Sequence, residues 1–191
     1  MLVGKLVRLV VLEQKHLDDM LKGWNNPELR RFLGGMIPVG REEETEWIRS
    51  AVEGMKARRE FDFVIERSSD GAILGGTSLH GINWISRTCT LGIAIHSPEN
   101  WGKGYGSEAM RLLVDYAWNS LNLRRIELTV HSFNKRAIRT CQKVGFKEFG
   151  VAHKRIYIEG QYYDTIFMEL FREGAPRDVQ FSEHENPRSP T

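Results

Sequence analysis

The feature that most restricts the fold of this chain is a change of period in its middle. Thr88 to Ile95 alternates strictly, with Cys89, Leu91, Ile93 and Ile95 on one face and Thr88, Thr90, Gly92 and Ala94 on the other. A two-residue repeat of this kind predicts a strand. His96 to Gly106 follows as a loop with three glycines. From Ser107 to Leu121 the repeat becomes helical: Ala109, Leu112, Leu113, Tyr116 and Ala117 share one face, and Met110, Val114 and Trp118 widen the stripe. Arg125 to His131 then reads as a strand again. Strand, loop, helix and strand form a crossover unit, which places its two strands parallel.

The flanking segments supply the rest of a sheet and its cover. Leu6 to Leu12 predicts a first strand, and His16 to Trp24 a helix stopped by Asn25-Asn26-Pro27. Glu42 to Arg59 predicts a longer helix, because Trp47, Ile48, Ala51, Val52 and Met55 recur at helical spacing. Its acidic start and basic end suit the helix dipole. Phe61, Phe63 and Ile65 alternate with Asp62 and Glu66, Asp70-Gly71 is a hairpin signal, and Ile73 to Ile82 follows as a strand. Asn134 is a good N-cap for a helix that turns Ala137, Ile138, Cys141 and Val144 inward and closes at Gly145. Phe146 to Ile158 and Tyr162 to Leu170 are the last strands. Periodicity ends near Glu173, so residues 1–172 are expected to form one domain and 173–191 a polar C-terminal tail. The expected class is α/β (α+β): a mixed central sheet of six to seven strands flanked by about four helices.

Charge and cysteine content exclude several classes. Twenty-seven Lys and Arg against 25 Asp and Glu leave a net charge of only +2, too little to mark the whole chain as a nucleic-acid binder. The apolar runs fall far short of the roughly 20 residues that cross a bilayer, and the N-terminus lacks a signal-peptide core. A cytoplasmic protein with no membrane or nucleic-acid partner is therefore expected. Cys89 and Cys141 cannot build a disulfide framework. His-Glu-x-x-His and Cys-x-x-Cys are both missing, so no metal is expected.

The loop Trp101-Gly102-Lys103-Gly104-Tyr105-Gly106 carries the chemistry. Glycines let a ligand approach the backbone, and the N–H groups of a helix start carry partial positive charge. Together they suit an anion; a plain tight turn is the other reading. The G-K-[S/T] ending of a Walker loop is absent, and the glycines do not follow the G-x-G-x-x-G dinucleotide pattern.

With these residues in place, the chain resembles the GCN5-related N-acetyltransferases (GNAT). That family's first motif is Gln or Arg, two residues, Gly, one residue, Gly or Ala. Gly104 and Gly106 match it, with Trp101 at the Gln/Arg position. Its second motif, Asn-x-x-Ala-Ile-x-x-x-x-Lys-x-Gly-Phe, is met by Asn134, Ala137, Ile138, Lys143, Gly145 and Phe146. Trp24-Asn25-Asn26-Pro27, followed by Glu28 and Arg30-Arg31-Phe32-Leu33, resembles the start of the Rim-type branch, which includes N-terminal acetyltransferases of ribosomal proteins.

The resemblance implies a GNAT fold in which acetyl-coenzyme A lies between two splayed parallel strands, here Leu91–Ile95 and Ile126–Val130. Ile93, Ala94 and Ile95 would pair with its pantetheine arm. Main-chain amides beginning at Trp101 and running through Gly102, Lys103, Gly104, Tyr105, Gly106 and Ser107 would hold the diphosphate. Asn134, Ile138 and Lys143 would meet the far side, with Lys135, Arg136 and Arg139 either near the phosphates or on a solvated surface. Many members protonate the leaving thiolate with a Tyr. Cys141 stands at that position, either as the catalytic acid or as a small buried hydrophobe.

No general base is legible. His80, His96 and His131 lie on or near the central strands and are equally readable as structural, Glu66 and Glu127 read as solvent-facing, and Asp164 as a substrate or structural residue. The implied reaction is acetyl transfer to a primary amine, either a protein N-terminus or a small molecule such as a polyamine. Acceptor choice would lie in the segment from Trp24 to Arg59 and in the strands after Phe146. Homodimers are common in the branch. A non-catalytic acyl-coenzyme A-binding module, and a nucleotide-binding domain of another kind, are the competing readings.

Overall fold

The computed structural model describes residues 1–33 and 37–173. In chain order the elements are β1 (Leu2–Val3), β2 (Val7–Val11), α1 (Leu17–Trp24), α2 (Pro27–Leu33), α3 (Arg41–Lys56), β3 (Phe61–Arg67), β4 (Ile73–Asn83) and β5 (Thr88–Ile95). Then come α4 (Tyr105–Asn119), β6 (Arg125–His131), α5 (Lys135–Val144), β7 (Lys147–Ile158) and β8 (Gln161–Phe171). One eight-stranded sheet runs in the order β1-β2-β3-β4-β5-β6-β8-β7. Every neighbouring pair is antiparallel except β5 and β6, the pair joined by the α4 crossover.

That parallel pair is short. Thr88 faces Arg125, Cys89 faces Ile126 and Thr90 faces Glu127, and there the pairing stops. β6 nevertheless stays paired to β8 through His131 and Thr165, and β5 stays paired to β4 through Ile95 and Gly75. The sheet therefore opens in its middle, between Leu91–Ile95 and the end of β6.

Both faces of the sheet are covered. Phe61, Phe63 and Ile65 of β3 and Cys89 and Leu91 of β5 pack into one core with Ala109, Leu113 and Ala117 of α4 and Ile138 and Cys141 of α5. Val64 and Leu12 lie in a second core with Met20 of α1 and Ile48 and Ala51 of α3. Burying each of these large aliphatic side chains stabilises the fold by about 1.5–3 kcal/mol.

Three sequence expectations are corrected. The sheet has eight strands rather than six or seven, because Leu2–Val3 is too short to show a period yet pairs with Leu9 and Arg8. There are five α-helices among the described residues rather than four: Asn25-Asn26-Pro27 does follow the end of α1 at Trp24, and Pro27 also opens a further helix. Proline suits the first helical position, where no N–H is needed. Glu66 is not solvent-facing: its carboxylate lies 2.5 Å from Arg8 Nε. Apart from Glu173, the 173–191 tail lies outside the described residues. No described helix is long and apolar enough to cross a membrane.

A tie between distant parts of the chain shapes the glycine loop. Gly104 is the N-cap of α4 in the left-handed region, at φ +90. One turn later, Glu108 accepts the N–H groups of Lys5, Leu6 and Val7, at 3.1, 2.6 and 2.8 Å. Its carboxylate thereby holds the β1–β2 turn against the start of α4.

Candidate active site

The opening between β5 and β6 is a cleft of about 580 Å³. Leu91–Ile95 form one wall, Leu128–His131 the other, and the glycine loop and α5 the rim. The orientation of β5 follows from its bonds. His96 N–H donates to Leu74 O, so in this antiparallel pair Ala94 and Gly92 also turn their backbone groups toward β4. Leu91, Ile93 and Ile95 turn theirs the other way, toward β6 and the cleft, on the side where Arg87 O accepts from Arg125 N–H. The Thr90–Glu127 pairing uses the Leu91 N–H, so the groups left open are the Leu91 carbonyl, both groups of Ile93 and the Ile95 N–H. The strand thus presents an unpaired edge to the cavity, while Ala94 offers it only a methyl group.

At the rim, Tyr105, Gly106 and Ser107 form the first turn of α4, where N–H groups have no intrahelical acceptor. Gly102, at φ +77, and Gly104 shape the approach, and all five residues line the cleft. Trp101 acts differently from expectation. Its own N–H donates to Pro98 O, and its indole N–H donates to Ile95 O at 2.7 Å, sealing the end of β5. Arg136 of α5 lies 3.8 Å over the Trp101 ring and 5.4 Å from that of Phe32, so a cation–π contact spans the rim.

The other expected residues divide. Lys143 and Cys141 line the cleft, whereas Lys103 and Ile138 do not. Asn134 lines it, but its side-chain oxygen is occupied in accepting Ala137 N–H as the helix cap. Cys141 is buried, which pushes its thiol up to about 12. His80 and His131 line the cleft, and burial lowers both. His96 is buried 4.9 Å from the Trp24 ring and is brought down to about 4. Glu127 pairs with Arg125 at 3.1 Å, outside the cavity. Asp164 accepts Lys154 N–H and faces His153, a structural role in the β7–β8 hairpin.

A second cavity, of about 210 Å³, lies on the α1 and α3 side of the same strand. Gly92, Ile93 and Ala94 line both cavities. The floor of the second comes from two cross-strand rows, Asp62–Ser78–Gly92 and Gly76–Ala94. Small residues at Gly76, Gly92 and Ala94 leave the space, and Met20, Trp24 and Trp47 cover it. A Cβ at Gly76 would already stand 3.1 Å from Met20 Cε.

Asp62 also lines this cavity and was not singled out from the sequence. The residue is 7% exposed, and its Oδ2 is buried with no hydrogen-bond partner among the described residues. Burial first, and then the charge of Glu60, raise its carboxyl from 3.8 to about 7. The signal was the run Phe61-Asp62-Phe63-Val64-Ile65, in which apolar Val64 shares Asp62's parity, so both faces of the strand are covered.

A stability effect follows. The folded protein holds the Asp62 proton more tightly than the unfolded chain does. Stability from this group is therefore full below about pH 4 and is lost as pH rises to about 7. Asp62→Asn is expected to raise stability at about pH 8 by about 2–4 kcal/mol and to leave it unchanged near pH 4. Thermal melts at the two pH values check this, and an equal shift at both would contradict it.

Comparison with known proteins agrees with this geometry. A family model described as an acetyltransferase (GNAT) domain matches residues 7–147. Spermidine N(1)-acetyltransferase of Escherichia coli (strain K12) is 35% identical over 125 residues, 65% of this chain and 63% of that protein. The chain thus spans under two thirds of that relative's length. "Putative ribosomal N-acetyltransferase YdaF" of Bacillus subtilis (strain 168) is 30% identical over 169 residues, covering 88% of this chain and 85% of that one. Among solved structures, spermidine N-acetyltransferase from Vibrio cholerae in complex with CoA and spermine superposes with a TM-score of 0.79 at 26% identity, covering 88% of this chain and 96% of that chain. The interrupted parallel pair, the glycine turn at its rim and the matched family model together show that this chain belongs to the GNAT acetyltransferase family.

Proposed function

We propose that this protein moves an acetyl group from acetyl-coenzyme A to a primary amine by direct attack in a ternary complex. The observation that carries the reading is the unpaired edge of β5, which ends at a helix start with free amides. An extended amide-bearing arm adds to such an edge as a strand does, and a diphosphate suits the helix start. The residues present therefore fit the cofactor.

In this reading the open groups of Leu91, Ile93 and Ile95, those of Ile93 above all, pair with the arm, and the amides of Gly102 to Ser107 hold the diphosphate, with Lys143 adding charge. Trp101 closes the strand end rather than gripping phosphate, and Asn134 and Ile138 shape α5 behind the site. When bound, acetyl-coenzyme A supplies an activated thioester. The N–H group of Ile93, aimed into the cleft just past the last ladder bond, is a donor for the oxygen on which charge develops. The amine must reach the cleft unprotonated, since an ordinary lysine-type amine ionises near ~10.4.

A second cavity opening on the same three residues of β5 favours a turning-over enzyme over an acyl-coenzyme A-binding module. The two curated relatives are named for different acceptors, a polyamine and a ribosomal substrate, and both names fit an amine. The YdaF match over 88% of this chain and the Trp24–Pro27 start support the Rim-type branch.

Cys141 fits packing better than acid catalysis. Its thiol, at about 12, is a weaker acid than an ordinary thiol near ~8.5, so passing a proton to a leaving thiolate runs uphill. Thiol release from acetyl-coenzyme A, followed across a panel of primary amines, tests both points. Amine-dependent release is expected, with Cys141→Ala within about threefold of the parent rate and only less heat-stable. A loss of about 100-fold or more at unchanged coenzyme A affinity would make Cys141 the acid. Thermal stabilisation by coenzyme A without release for any amine would leave the binding-module reading.

A further inference from the structure

We infer that Asp62 holds the remote ammonium group of the acceptor, so that the second cavity selects diamines whose two nitrogens are joined by a short aliphatic chain. The inference rests on the acetyl-transfer reading above, because that reading places the reacting amine at the open edge of β5.

Register and strand spacing decide between two roles for this carboxylate. Asp62, Ser78 and Gly92 form one row across β3, β4 and β5. Two strand spacings separate Asp62 from Gly92, about 10 Å. The reacting nitrogen lies beyond Gly92, at the cleft edge. A general base must come within roughly 2.6–3.2 Å of the proton it takes. Asp62 is several times too far away, so it faces the other end of the acceptor.

What lies between suits methylene groups. The floor is Gly76, Gly92 and Ala94 with the uncharged hydroxyl residue Ser78 in Asp62's row, and Met20, Trp24 and Trp47 stand opposite. None of these side chains can stabilise a charge as an anion does. The cavity is also smaller than the roughly 300–1,000 Å³ of sites that take drug-sized ligands. Among the described residues, Asp62 is the one carboxylate lining it. Glu44, the other buried carboxylate of this layer, is engaged by the Trp24 indole and does not reach the cavity.

Bound there, a diamine places one uncharged nitrogen at the thioester and one ammonium on Oδ2, ending the isolation of a buried carboxylate. A monoamine leaves that oxygen without a partner, and a longer polyamine outgrows a cavity of about 210 Å³. The raised ionisation of Asp62 agrees with a carboxylate that lacks its cation.

The test uses the full chain and a series of α,ω-diamines from diaminopropane to diaminooctane, each matched with its monoamine. In the parent protein, kcat/KM for the best diamine is expected to exceed that of its monoamine by about tenfold or more, with a clear length optimum. Asp62→Asn should collapse that ratio toward one. Asp62→Glu, with its longer side chain, should move the optimum to a shorter diamine.

Thermal shift with the same diamines, measured on the coenzyme A-saturated protein, reads the ammonium contact without turnover. A shift in the parent that is lost in Asp62→Asn supports the contact even where no acetyl transfer occurs, which would count against the transferase reading alone. Equal ratios in parent and Asp62→Asn, or a diamine shift that survives the substitution, would overturn the proposal.

Discussion

Replacing Gly104 with Val is expected to weaken coenzyme A binding by about 100-fold, measured as Kd by titration calorimetry. Gly104 sits at φ +90, where a β-branched residue is strongly disfavoured. Holding an ordinary side chain in such a region costs on the order of 1–3 kcal/mol. The added Cβ would also press on Leu6 Cδ1 at 3.2 Å, and the valine methyl groups extend beyond it. The loop escapes only by leaving the left-handed region, which re-aims the first amides of α4. Each 1.4 kcal/mol lost is tenfold in affinity. Gly102→Ala is the control. Gly102 is also left-handed, at φ +77, but nothing lies within 4 Å of a Cβ there, so about tenfold or less is expected. Binding by Gly104→Val within threefold of the parent would show that this turn does not hold the diphosphate.

Glu108→Ala should cause the largest loss of stability among substitutions at exposed or half-exposed positions. One carboxylate accepts three consecutive main-chain amides, from Lys5, Leu6 and Val7. Charge-assisted bonds contribute roughly 1 kcal/mol or more each even when solvent reaches them, so about 3 kcal/mol is at stake. For a domain of this size that is a fall in Tm of about 6–12 °C. Glu108→Gln keeps one acceptor oxygen and should fall between the two. Because Leu6 sits under Gly104, the alanine variant should also bind coenzyme A less tightly. A calorimetric Tm within two degrees of the parent, on the order of the error from one weak bond, would refute the argument.

Much of the frame around the cleft is legible in the sequence because it is written in the main chain. The strict alternation of Thr88–Ile95, the glycines before a helical stripe and the Asn134 cap reappear as β5, the rim and α5. Ala94 and Trp101 were misjudged for a reason that lies outside local sequence. Which way a strand's amides point depends on its partner's register, and the Trp101 indole is claimed by the Ile95 carbonyl. Asp62 was overlooked because Phe61, Phe63 and Ile65 suggest a sheet wet on one side, whereas α1 and α3 cover that side. The stop after Trp24 is legible at Asn25-Asn26-Pro27, but the seven-residue helix that Pro27 opens is too short to show a period.

The three-residue seam between β5 and β6 has a mechanical consequence. It joins two half-sheets that share no further main-chain bonds along the gap, so the width of the gap is governed by the helix packing beneath it and by whatever fills it. A ligand that takes up the open groups of this edge, those of Ile93 above all, acts as a missing plank and makes the floor continuous. Since the same strand forms the wall of the neighbouring chamber, whatever fills the gap also braces that wall.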